Sequence, residues 1–183
     1  MKNTILKTIG TMWLAILMLT AFTQISVFAQ EQEIITEDKS DEQTQEEDLS
    51  ARRSNARRLE GVWNIQVTGR NCQTGDIIRI FPAMHTYMRG GTMSDWGTGT
   101  PPSLRSNGQG VWSYQSRRRY SAAFQFFRFN TDGTYAGKQI GRSQITLSYD
   151  GNSFTTISTG QVLDAGGNVI ANACNTSTAT RFE

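Results

Sequence analysis

The side chains able to do chemistry are few and scattered. His85 is the single histidine, so a metal site built on imidazole would need carboxylates or thiolates beside it. No nucleophile or orienting acid stands next to it in the sequence, and on a strand it is expected to be a hydrogen-bonded structural residue rather than a base. Asp76, Asp132, Asp150 and Asp164 fall in glycine-containing turns, where a carboxylate accepts hydrogen bonds from nearby amides. No pair of carboxylates is spaced for general acid and base work. The sequence therefore assigns no catalytic residue, no metal ligand and no cofactor. The remaining reactive pair is Cys72 and Cys174.

Whether those cysteines pair depends on compartment. Lys2 and Lys7 precede an apolar run from Met12 to Phe22, and Val27-Phe28-Ala29 presents small or tolerated residues at the positions a signal peptidase reads. Residues 1–29 are read as a cleaved signal peptide, because Thr20, Thr23 and Gln24 cut the apolar run short of a membrane span. The expected location is outside the cytoplasm, periplasmic or secreted, without a transmembrane anchor after processing. There a disulfide persists, and nucleic acid is not an expected partner.

A second argument for pairing comes from register. Trp63 and Cys72 lie near the two ends of an alternating run that starts at Gly61; Cys174 and Arg181 lie near the two ends of the last run, Val169 to Phe182. Partners in an antiparallel ladder keep a constant sum of residue numbers, and Trp63 with Arg181 and Cys72 with Cys174 satisfy one register to within two residues. First and last strands are then neighbours, which closes a barrel.

The elements between them follow from punctuation. Apolar and polar residues alternate in 61–69, 77–88, 92–96, 110–115, 120–130, 134–148, 153–163 and 169–182. Gly90-Gly91, Asn130-Thr131-Asp132-Gly133, Asp150-Gly151-Asn152 and Asp164-Ala165-Gly166-Gly167-Asn168 supply hairpin turns. Pro82 marks a strand start, an edge or a bulge. The fold class predicted for residues 59–183 is all-β, an antiparallel up-and-down barrel of about eight strands, with a β-sandwich as the alternative.

Gly61-Val62-Trp63 opening the first strand, with Arg181 late in the last, resembles the G-x-W signature and the arginine that covers its tryptophan in lipocalins and the wider calycin group. It looks most like the small bacterial lipocalin-like domains; avidin-like barrels are a more distant likeness. The resemblance implies a barrel closed at the Trp63 end and a small hydrophobic or amphipathic ligand at the other.

If Trp63 marks the bottom, the long Gly/Thr/Pro-rich link of residues 97–108 opens on the mouth, as a binding loop would. Candidate ligand contacts there are Trp96, Leu104 and Arg105. A three-residue turn at Gly133 would pair Phe129 with Tyr135, which places Gln125, Phe127, Phe129, Tyr135 and Gln139 on one inward face. Phe124 and Phe126 would then form an outer apolar stripe, suited to burial by the N-terminal arm or by a second copy of the chain. Two other functions stay open. One is a structural or interaction barrel filled by its own side chains. The other is a barrel enzyme resembling allene oxide cyclase, which works mainly by shaping its substrate.

Charge is divided along the chain. From Gln30 to Ser50 nine acidic residues face Lys39 alone, whereas from Ala51 onward fifteen basic residues face seven acids. Residues 30–58 are read as a disordered linker, acidic and then arginine-rich; the alternative is that the acids fold back on the body. Arg117, Arg118 and Arg119 form a basic turn at the closed end that could dock an anionic surface.

Overall fold

The computed structural model describes residues 35–183, with side chains from residue 44 onward; the segment read as a signal peptide lies outside them. Eight strands follow in chain order: β1 (Gly61–Arg70), β2 (Ile77–Tyr87), β3 (Thr92–Gly97), β4 (Gly108–Ser116), β5 (Arg119–Phe129), β6 (Tyr135–Leu147), β7 (Ser153–Leu163) and β8 (Val169–Arg181). Each pairs antiparallel with the next, and β8 returns to β1, so the sheet is a closed up-and-down barrel. No described helix is long and apolar enough to cross a membrane.

Turn chemistry sets the hairpins. The Thr134 amide donates to Asp132 Oδ1 at 2.9 Å, Asn152 to Asp150 at 3.0 Å and Asn168 to Asp164 at 2.8 Å. Hydrogen bonds from Thr134, Ser148 and Asn168 hold these carboxyls below the usual carboxylate range. Their work is local, as their positions in the sequence imply.

The seam has the expected register. Trp63 stands opposite Arg181 and Arg70 opposite Cys174. Cys72 and Cys174 are bonded, with their Cα atoms 5.2 Å apart. At the bottom, Trp63 is fully buried against Phe154, with ring centroids 4.7 Å apart. The Arg181 guanidinium lies 4.3 Å from the indole centroid and donates to the carbonyls of Arg58, Glu60 and Gly151. The cation thus satisfies backbone acceptors while covering an aromatic face. Trp63, Tyr87, Met93, Trp112, Tyr120, Ile145 and Leu147 fill this lower half.

Three features depart from, or sharpen, the sequence reading. The segment read as a disordered linker contains an α-helix, α1 (Ile35–Arg57). Its Glu, Gln, Lys and Arg content favours helix, and the arginines of its last two turns complement the macrodipole. It carries no apolar stripe, so periodicity could not reveal it. Its C-terminal end meets the barrel floor, where the Tyr120 hydroxyl donates to the Asn55 carbonyl at 2.5 Å and Leu59 is buried.

The second departure reverses a face. Phe129 pairs with Tyr135 as the turn chemistry predicts, but Arg128 then pairs with Gly137, which leaves Ala136 as an extra residue in β6. Gly137 takes φ +122° at this bulge, a conformation glycine tolerates. Beyond it every partner moves by one, and a one-residue slip exchanges the two faces. Phe126 therefore joins Gln139 and Phe124 joins Gly141 inside the barrel. The outer Phe124/Phe126 stripe does not exist, and the interface between copies that rested on it loses its basis. Gln125, Phe127 and Tyr135 face outward instead, the last two rings meeting edge to face at 6.0 Å.

The third feature is Pro82, which sits inside β2 rather than at its start. Its carbonyl accepts from the Thr98 amide at 3.1 Å, just past the end of β3. The imide nitrogen points to the same side, past the last pair of the β2–β3 ladder, Ala83 with Gly97.

Candidate functional site: a cup at the barrel mouth

The alternation that fills the lower barrel with large aromatic residues changes toward the mouth, where inward positions carry glycine, serine, threonine and amides. Gly97, Gly141 and Gly160 line the upper interior, and the result is a cavity of about 90 Å³. One water needs roughly 10–15 Å³ on this measure, so the space suits a small molecule rather than a long lipid chain. The Phe124 ring stands over Gly141, where an added Cβ would lie 2.8 Å from it.

The walls differ in character. Ile65, Val67, Phe81, Ala83, Phe124 and Phe126, from β1, β2 and β5, form an apolar side. Facing it, β6, β7 and β8 contribute Gln139, Ser143, Thr156, Ser158, Asn175 and Ser177. The Ser143 and Ser158 hydroxyls bond to each other at 2.8 Å. The side chains of Gln139, Asn175 and Ser177 make no hydrogen bond to the other described residues. They leave donors and acceptors facing the cavity.

A buried charged network sits beside the cup. The β2–β3 hairpin puts His85 opposite Asp95, with Nε2 and Oδ1 2.9 Å apart, and Nδ1 lies 3.1 Å from the Tyr87 hydroxyl. Arg105, in the β3–β4 link, donates to the other oxygen of Asp95 and lies with its guanidinium carbon 3.8 Å from the Phe126 centroid. Burial alone pushes the Asp95 carboxyl up. The hydrogen bond and charge of His85, then the charge and hydrogen bond of Arg105, outweigh it and hold the pKa below the usual range. Burial, and then the charge of Asp95, push the Tyr87 phenol well up. Both imidazole nitrogens are engaged, so His85 stiffens the wall and presents no free lone pair to the cavity. Arg105 draws the 98–107 link, which carries the turn Pro102–Leu104, down against the barrel.

Of the sequence-predicted contacts, the structure brings Arg105 and Gln139 to the cup. Trp96 is on the outer face opposite Met84 and is 46% exposed. Leu104 and Phe129 are half-buried near the rim without lining the cavity. Gln125, Phe127 and Tyr135 are displaced by the bulge. The sequence reading missed Asp95, Arg79, Phe81, Asn175 and Ser177. One signal was present for Asp95: a hairpin centred on Gly90 sets the register that opposes Tyr87 to Met93 and His85 to Asp95.

The basic turn lies at the closed end. Arg118 stacks 3.7 Å from the Tyr149 centroid and donates to the Leu147 carbonyl, while Arg117 and Arg119 are exposed. Among the described residues no group of three or more His, Cys, Asp or Glu could hold a metal ion. A comparison with protein-family models finds none that matches the chain, and a search of curated proteins finds no match to its sequence.

Proposed function

We propose that this chain is an exported, lipocalin-like barrel that holds one small amphipathic molecule at its mouth without transforming it. The observation that carries the reading is the asymmetric cup: a space of about 90 Å³ with aromatic and aliphatic residues on one wall and unpaired amides and a hydroxyl on the other. Such a cavity rewards an apolar body, whose burial is worth about 25 cal/mol per Å², and orients a polar end through Gln139, Asn175 and Ser177. Filled aromatic packing below excludes a second route of entry. Export is supported by the basic and apolar start of the chain and by the bonded cysteines.

Native mass spectrometry of the protein purified from its own host tests the reading. The expected result is a mass increment from one small molecule, removed by unfolding and restored by adding that molecule back. A refolded protein of unchanged mass that binds nothing from a host metabolite extract would refute it. Conversion of the bound molecule on prolonged incubation would make the barrel an enzyme.

A further inference from the structure

The charges around the cup do not cancel. Four ionisable side chains line it: Arg79, His85, Asp95 and Arg105. Both salt bridges among the described residues use the same carboxylate, Asp95, with His85 and Arg105 as partners. Arg79 thus has no acidic partner. Its guanidinium donates to the Gly99 carbonyl and lies 5.0 Å from the Phe81 centroid. That leaves a fixed cation, part of its donor fork free, at the upper edge of the apolar wall.

The position of Arg79 is set by the seam. On β1, Gly69 pairs with Arg79 of β2 on one side and with Asn175 of β8 on the other. An added Cβ at Gly69 would lie 3.4 Å from the Arg79 side chain and 3.6 Å from Asn175 Oδ1. Glycine therefore leaves a notch one side chain wide, flanked by the aliphatic stem of Arg79, whose guanidinium lies at its far end, and by a carboxamide without a partner among the described residues. Phe81 stands two residues below Arg79 on the same inward face of β2.

Resting on the carrier reading above, we infer that the ligand is a small organic acid whose carboxylate sits in the Gly69 notch, held by Arg79 and the Asn175 amide. Its apolar part runs down the wall formed by Phe81, Phe124 and Phe126. An arginine fork matches a carboxylate in shape and charge. A neutral or cationic head group would leave Arg79 uncompensated or repelled. Arg105 is not the anion receptor, because Asp95 already occupies it.

Isothermal titration of the oxidised, refolded protein with hexanoate, hexan-1-ol and hexylamine tests this assignment. Hexanoate is expected to bind at least tenfold more tightly than the alcohol, with hexylamine weakest, and its advantage should shrink as salt rises. Arg79→Gln, at an exposed position, should reduce hexanoate binding to the level of the alcohol and leave the alcohol unchanged. Gly69→Val, which fills the notch from a strand position without positive φ, should weaken hexanoate more than hexan-1-ol. Equal binding of acid and alcohol to the wild type, or full hexanoate affinity in Arg79→Gln, overturns the head-group assignment while the carrier reading stands. Failure of all three probes to bind, with no molecule copurifying from the host, overturns both.

Discussion

Replacing both cysteines by serine tests the seam on which the barrel closes. The bond joins residues 102 apart in sequence, and chain-entropy arithmetic for a closed loop of that length gives about 4.7 kcal/mol, expressed through the unfolded state. The native ladder does not depend on the bond for its register: β1 and β8 stay paired from Trp63 opposite Arg181 to Arg70 opposite Cys174. The Cys72→Ser/Cys174→Ser protein should fold to the same barrel with a lower melting temperature. With unfolding entropy of about 2.1 cal/mol/K per residue over roughly 125 ordered residues, the expected drop is about 15–20 °C. Scanning calorimetry and urea melts at one pH measure it. The urea slope should also rise, since an unfolded chain freed of the cross-link exposes more surface. A drop below about 5 °C with an unchanged slope would refute the claim that the bond acts by restricting the unfolded chain.

Other perturbations probe separate parts of the fold. Asp95→Asn strands Arg105 beside Phe126 without a counter-charge, and loss of one partner from a buried pair costs about 3–5 kcal/mol; urea melts should show that loss. The same carboxyl has its pKa lowered by folding. Its contribution is therefore complete above the unfolded value of about 4 and is lost as pH falls through the still lower folded value. The stability difference between wild type and Asp95→Asn should be flat in the window above about pH 5 and narrow below about pH 4. Gly137→Ala must place a Cβ against the Leu163 carbonyl oxygen at φ +122°, and a loss of roughly 3 kcal/mol or more is expected by denaturant melts; a neutral effect would mean the bulge is not required. Trp63→Ala removes the largest buried ring and the surface that Arg181 covers, at about 3–5 kcal/mol, which chemical denaturation would measure.

The barrel was legible because its cues are local and periodic. Alternation marked the strands, and Gly, Asn and Asp marked hairpins that the structure places where those residues fall. The closure was also legible, from the two terminal pairs of residues in one register. The contents of the barrel were harder to read. The stretch Phe124-Gln125-Phe126-Phe127 is nearly as apolar on one face as on the other, so alternation could not choose between them. The turn at Gly133 was identified correctly, yet the next few residues contain a bulge whose only local sign is a glycine among several others.

Sequence by itself determined that this chain makes β-hairpins, that its last strand lies beside its first, and that two cysteines meet at their junction. Those facts follow from side-chain alternation and from residue spacing along a ladder of constant pitch. Tertiary structure alone decided which aromatic rings look inward, that Asp95 is held between His85 and Arg105, and that Arg79 and Asn175 flank Gly69. Each of these depends on a one-residue shift in pairing or on the meeting of three strands distant in the chain. Such contacts arise only once the sheet has closed.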